Sequence, residues 1–285
     1  MKRISRYIAA AALCLAAVAC YKEDPITSEL GKPEYTVTDG ADSTTHFIYD
    51  TWQKTGVFIL TDYTSKDYVW NVSALSKNVL SKVKADVLPD AVYAVKKSLF
   101  DLYSDSFKKQ YFPMKVFVAD TLNTSFASNV TAGYGRSYIV ASELRKETLP
   151  MSAEAALNYK GKVNAMLWGY FIYMNGLIEI PEGFFSPCAD FYEASYERDT
   201  NKDVAGYINS VGFWRYDETN IVYAHMAPSR AKDVADFVEM TTTHTKAEME
   251  ALMNGFPILY MKYNILLEAV KNACGVDLQA IGNAK

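Results

Sequence analysis

Hydrophobic residues along the chain cluster with three different spacings, and each spacing predicts a different kind of element. Short apolar runs of β-branched and aromatic residues predict strands: Gly56 to Leu60, Met114 to Ala119, and Ser137 to Ala141 entered through the turn at Gly133 to Gly135. Tyr68 to Trp70 suits a strand or a buried loop edge. Helical spacing begins at Leu88-Pro89-Asp90, where Pro stands in the first turn, and continues through Val92, Val95, Leu99 and Leu102. A further turn is expected over Asp105 to Gln110, before Pro113. Lys232 to Thr241 repeats the pattern, with Val234, Phe237, Val238 and Met240 facing inward. Thr245 and Glu248 have the spacing of a capping box and start a helix through Met253, followed by another over Ile258 to Asn272.

The third spacing is none at all. From Ser152 to about Leu177 the chain reads as one long helix, and its middle, Ala165 to Met174, is apolar on every face. A helix apolar all round is either membrane-spanning or central to a core. Ten such residues are too few to span a bilayer, so this is the expected buried central helix. Helices with a few strands, and no internal repeat, predict an α+β domain.

The first residues are of another kind. Lys2, Arg3 and Arg6 precede a short apolar stretch, Ile8 to Val18, that ends in small residues. This is the pattern of a secretory signal. The run Ala17-Val18-Ala19-Cys20 resembles a bacterial lipobox, with Ala17 where Leu is more usual. That resemblance implies cleavage before Cys20 and acylation of its new N-terminus. The expected organisation is a signal over residues 1–19, a lipidated N-terminus and polar tether over 20–45, and a single domain over 46–285. Lipidation implies a membrane attachment through the lipid and a place in the cell envelope, on the outer membrane.

Composition narrows the chemistry. The 285 residues carry a formal charge of −4, which becomes more negative once the three basic residues of the signal are removed. An acidic chain of this kind argues against nucleic acid as a partner. Beyond Cys14 and Cys20 only Cys188 and Cys274 remain, and their spacing does not decide whether they pair. There is no Gly-x-Ser-x-Gly elbow, phosphate-cradling glycine loop or CxxC. The three histidines, His46, His225 and His244, are widely separated.

Several stretches, in order, resemble the zinc-binding metallopeptidase family of bacterial envelope lipoproteins, a gluzincin-like group. They are Leu80 to Asp120, Pro181 to Phe185 with Phe191-Tyr192-Glu193, and Ala235 to Met240 running on through His244 to Glu250. The resemblance implies a metallopeptidase-like domain with a small sheet and a buried central helix carrying His-Glu-x-x-His, whose imidazoles bind zinc. Aligned by its neighbours, that helix has Leu167, Trp168 and Phe171 at the motif's three positions. None of them can ligate zinc or activate water, so neither catalytic residues nor a metal cofactor is expected. Such apolar residues would fill a former metal cavity with hydrocarbon.

Three functions compete at this point. The first is a non-catalytic binding or accessory protein with a metallopeptidase-like domain. Its residual cleft would comprise Tyr223, His225, Asp236 and Glu239, and the resemblance suggests an outer-membrane uptake complex for peptide or glycan as partner. The second is a glycan-binding surface using Trp52, Trp70 and Trp214, prompted by 21 tyrosines and 4 tryptophans. The third is an active hydrolase with an unrecognised site.

Overall fold

The computed structural model describes residues 35–69, 78–125, 127–197, 204–217 and 224–284. Asp42 accepts from the amides of Thr44 and Thr45 and so caps helix α1 (Ser43–Thr55), which ends on Gly56 in the left-handed conformation. The helix thus begins inside the stretch expected to be tether. Strand β1 (Phe58–Leu60), the short helix α2 (Ser65–Tyr68) and strand β2 (Val79–Lys82) follow. Tyr68 therefore closes a helical turn, not a strand, and its buried ring meets Tyr63 and Phe117 edge-on.

Helix α3 (Leu88–Ser98) starts with the expected proline and tightens into a 3₁₀ turn at Phe100–Leu102. Ser104 caps helix α4 (Asp105–Tyr111), which leads into strand β3 (Lys115–Asn123). This strand is the centre of the sheet. Its first half pairs in parallel with β1 and its second half antiparallel with β2. On its other side it pairs in parallel with β5 (Tyr138–Ala141), and β4 (Ala132–Tyr134) lies antiparallel to β5 at the edge. Val116, Phe117, Val118, Ile139, Val140 and Ala141 are all fully buried, as befits strands covered on both faces.

Ser152 caps helix α5 (Ala153–Ala165), and the chain continues without a break into a π-helical segment, Met166–Tyr173. Across this second half Leu167, Trp168 and Ile172 are buried in the core. On the same side, buried Asn164 donates to Ser98 O and accepts from Tyr103 Oη, to which the Trp168 indole also donates at 2.8 Å. A buried polar chain thus ties the central helix to α3 and the turn after it.

Helix α6 (Glu182–Phe185) and a 3₁₀ segment come next. Strand β6 (Ser195–Glu197) and helix α7 (Val204–Ser210) precede β7 (Ala224–Met226), which pairs antiparallel with β6 in a small separate ribbon. Helix α8 (Arg230–Thr243), capped by Ser229, runs antiparallel along the central helix. Glycines bring the two axes together. A Cβ on Gly161 would meet Thr243 and Glu239, and one on Gly169 would lie 2.5 Å from Ala235 Cβ and 2.6 Å from Ala231 O. The buried face of α8 includes Val234, Phe237 and Val238, while Met240 is only half-buried.

The Thr245 capping box opens α9 (Lys246–Leu252) as expected. Helices α10 (Pro257–Cys274) and α11 (Leu278–Asn283) complete the chain, α11 against α8. Cys188 and Cys274 are both free thiols. Among the described residues no helix is long and apolar enough to cross a membrane. Cys20 and the stretch expected to be a signal lie outside the described residues.

Candidate functional site

A cleft of about 400 Å³ lies where the sheet edge, the central helix and α8 meet. The segment 127–132, leading into edge strand β4, forms one wall. Lys162, Ala165, Met166 and Tyr170 contribute from the central helix, and Lys232, Ala235, Asp236 and Glu239 from α8. Residues 162, 166 and 170 recur at four-residue spacing and so share the helix face turned towards α8.

Leu167, Trp168 and Phe171 are not on that face. They are buried in the core, and Trp168 stacks on Phe107 at 5.5 Å. They fill the interior of the domain, not the cleft. The side chains in the cleft are instead Lys162, Met166 and Tyr170, one helical turn apart.

The electrostatics of the cleft centre on Asp236, whose side chain is 2% exposed. Its Oδ1 receives Lys232 Nζ at 2.5 Å, one turn earlier on α8, and Arg215 Nε at 2.9 Å. Arg215 Nη2 also lies 2.7 Å from Glu239 Oε2, an ion pair without hydrogen-bond alignment. Asp236 Oδ2 is buried and has no hydrogen-bond partner. Burial holds the Asp236 carboxyl above the usual range, even though Lys232 and Arg215 pull it down. Tyr170 stacks on Tyr134 at 4.7 Å. Burial, reinforced by the Asp236 charge, pushes its phenol up, so it stays protonated.

These residues do not fit zinc. A catalytic zinc takes about three protein lone-pair donors and keeps one position open. On the helix face where imidazoles would be needed stand an ammonium, a thioether and a protonated phenol. Asp236 and Glu239 are paired with Arg215 and Lys232, and Lys162 and Asp217 add one charge of each sign to the lining, so a divalent cation would add charge to a site already balanced. Among the described residues no group of three or more His, Cys, Asp or Glu is placed to hold a metal ion.

The other expected site residues are scattered. Of the residual cleft, Asp236 and Glu239 are brought together. The backbone of His225 pairs with Tyr196 in the β6–β7 ribbon, its side chain outside the described set, and Tyr223 is also outside it. His244 is the C-cap of α8, and its Nδ1 lies 2.9 Å from Met240 O. Trp52 is half-buried beside Tyr49 and Phe58, whereas Trp214 packs on Phe237 with its Nε1 buried and unpartnered. Both rings are thus engaged by the fold, against different elements, and Trp70 lies outside the described residues. Lys232 was open to detection from its four-residue spacing to Asp236. Arg215 sits in irregular chain, where no periodicity signals it.

A polar cluster built on the fully buried Lys262, Asp233 and Cys188 stands apart from the cleft. Lys262 Nζ, on α10, reaches Asp233 Oδ2 at 2.6 Å, Gly212 O at 2.8 Å and Cys188 Sγ at 3.3 Å. Tyr192 Oη also donates to Asp233 Oδ2, at 2.5 Å. Burial raises the Asp233 carboxyl to about 6, with Lys262 and Tyr192 pulling in the other direction.

No protein-family model matches the chain, and no curated protein matches it. Among solved structures it superposes on a crystal structure from Bacteroides caccae, described as a "putative zinc-binding metallo-peptidase", with a TM-score of 0.53. The match covers 87% of this chain and 93% of that one at 13% sequence identity. The chain therefore has a metallopeptidase-like fold of mixed helix and sheet.

Proposed function

We propose that this chain is a lipid-anchored protein of the cell envelope whose metallopeptidase-like domain binds a ligand and does not hydrolyse peptide bonds. The observation that carries this reading is the state of the cleft, where Arg215 and Lys232 neutralise the two α8 carboxylates. Peptide hydrolysis in this fold needs a polarised carbonyl and an activated water, which a bound metal with a free carboxylate base supplies. Here Asp236 Oδ2 is a buried carboxylate oxygen without a partner, and no imidazole stands beside it on the central helix. The cleft, of about 400 Å³, combines apolar side chains with charged ones, which suits binding.

The test is incubation of the purified full-length chain, with and without added zinc, against casein and a mixed peptide library. The expected result is no cleavage above a denatured control. Zinc-dependent turnover that disappears in Asp236→Asn would overturn the reading. The anchor is tested separately by palmitate labelling in cells, which should be lost in Cys20→Ala and should respond to globomycin. Labelling that survives the substitution removes the lipid from the proposal.

A further inference from the structure

A short strap of chain, residues 209–217, joins the buried Lys262 cluster to the cleft and carries Arg215 between them. Three successive carbonyls of this strap are taken by side chains. Lys262 Nζ donates to Gly212 O at 2.8 Å. Asn209 Nδ2, from the last turn of α7, donates to Phe213 O at 2.8 Å and to Trp214 O at 3.1 Å. Arg215 is the next residue. In a helix or strand the backbone ladder would satisfy these carbonyls and set the direction of the side chain that follows. Here side chains from α7 and α10 stand in for the ladder.

The first clamped carbonyl is specified closely. Gly212 has φ +98°, in the left-handed region, and a Cβ there would lie 2.5 Å from Ile258 Cγ2 on α10. The fully buried Phe213 ring packs 4.7 Å from the Lys262 ammonium and 5.0 Å from the Tyr192 ring. An ammonium has three donors, and those of Lys262 face Gly212 O, Asp233 Oδ2 and Cys188 Sγ. The cation of the buried ion pair therefore also fastens the strap. Trp214 packs on Phe237 of α8 at 5.6 Å, and two residues after Arg215 the Asp217 amide donates to Met226 O at 2.7 Å.

Arg215 itself is held less firmly. Its side chain is partly exposed, with Nε 2.9 Å from Asp236 Oδ1 and Nη2 2.7 Å from Glu239 Oε2 without hydrogen-bond alignment. Solvent screens such a pair, and ordering a long side chain costs rotamer entropy. The guanidinium stays in the cleft because the backbone before it is fixed.

We propose that Lys262 and Asn209 are positioning residues for the cleft, which clamp the carbonyls of Gly212, Phe213 and Trp214 and so set Arg215 against Asp236 and Glu239. This role goes beyond ligand binding, since it holds whatever group the cleft takes. The test follows two NMR signals in the isotope-labelled full-length chain. One is solvent exchange of the Arg215 Nε proton, assigned by its loss in Arg215→Gln. The other is titration of the Asp236 carboxyl, assigned with Asp236→Asn. Facing that carboxyl are Lys232 and Glu239 on α8, Arg215 and Asp217 at the end of the strap, and Lys162 and Tyr170 on the central helix.

Asn209→Ala removes two hydrogen bonds and no charge. It should speed Arg215 exchange by about tenfold or more, the size expected for two lost hydrogen bonds. It should also raise the Asp236 titration, as Arg215→Gln does, because a cation that pulls it down is no longer held there. Lys262→Met combined with Asp233→Asn removes the clamp without a net change of charge and should act in the same direction. Adding Arg215→Gln to either should move Asp236 no further. Parental Arg215 exchange or parental Asp236 titration in Asn209→Ala overturns the proposal, as does an additive shift in the combined variants. So does faster exchange spread evenly over α5 and β3, which would show general loosening instead of release of the strap. If the Lys262 variant does not fold, Asn209→Ala decides alone. Zinc-dependent peptide cleavage would remove the non-catalytic reading and leave both signals unchanged, so the two fail separately.

Discussion

Replacing Lys262 with Met removes one charge from the most buried ion pair among the described residues while keeping a side chain of similar length. The Lys262 and Asp233 side chains are 0% and 1% exposed, and the ammonium is surrounded by the rings of Phe184, Phe213 and Phe237 at 4.6 to 5.0 Å. Without it the Asp233 carboxylate keeps only the Tyr192 hydroxyl, with Oδ1 already unpartnered. Breaking a buried pair from one side costs about 3–5 kcal/mol. For a domain of this size that is a fall in Tm of about 6–20 °C.

The pH dependence supplies a second check on the same variant. The Asp233 carboxyl is raised in the folded state to about 6, so its contribution to stability is complete below its unfolded value of 3.8 and is lost as pH rises through about 6. Lys262→Met takes away the cation that holds this value down, so the folded pKa rises further. The loss relative to the parent should therefore be larger at pH 8 than at pH 5, where protonated Asp233 needs no counter-charge. Adding Asp233→Asn should recover much of the loss at pH 8. Thermal unfolding followed by circular dichroism at both pH values measures all three proteins. A variant within about 1 kcal/mol of the parent at pH 8, or one that loses more at pH 5, would refute the buried pair.

Other variants probe the central helix and the cleft. Gly169→Ala should cost about 1–3 kcal/mol by overpacking against Ala235 and Ala231, despite alanine's better helix propensity; an unchanged urea midpoint would mean the helices do not approach so closely. Trp168→Phe should cost about 1–2 kcal/mol, since it removes the indole donor to Tyr103 and leaves part of the ring volume empty. A neutral effect in urea unfolding would place that indole outside the buried chain. Arg215→Gln should cost less than the Lys262 change, about 1–2 kcal/mol, because its side chain is 42% exposed and solvent screens it. The Asp236 carboxyl, already raised by burial, then rises further, so this loss should also be larger at pH 8 than at pH 5; the opposite order would show that Arg215 does not compensate Asp236.

The elements that could be read in the sequence are those whose faces differ. Val116 to Ala119 in β3, the inward Val234, Phe237 and Val238 of α8, and the Thr245 capping box all stand out by spacing or local chemistry. The central helix could be recognised as buried, but a segment apolar on every side carries no signal of which side faces what. Its second half is also π-helical, so its hydrogen bonds skip an additional residue and the faces drift from α-helical spacing. Leu167, Trp168 and Phe171 therefore look interchangeable with Met166 and Tyr170 in sequence, yet only the latter two reach the cleft.

Helix α1 was missed for the opposite reason. Its first three residues fall in the stretch expected to be tether, and in the rest Phe47, Ile48 and Trp52 turn inward, half-buried, among polar neighbours, so its spacing is a weak signal. The ion pairs of the cleft and of the buried cluster join residues far apart in the chain. Arg215 meets Asp236 and Glu239 from an irregular loop, and Lys262 meets Asp233 from two helices further on.

The central claim is that the cleft beside α8 belongs to a metallopeptidase-like fold but is balanced by side-chain cations and has no place for zinc. Calorimetric titration of the metal-stripped full-length chain with zinc at pH 7.5 (about one pH unit above the ordinary histidine pKa, so imidazoles are free to bind) tests it most directly. The account predicts no stoichiometric binding in the parent and no change in Asp236→Asn or Glu239→Gln. One zinc bound tightly per chain, and lost in either variant, would contradict it.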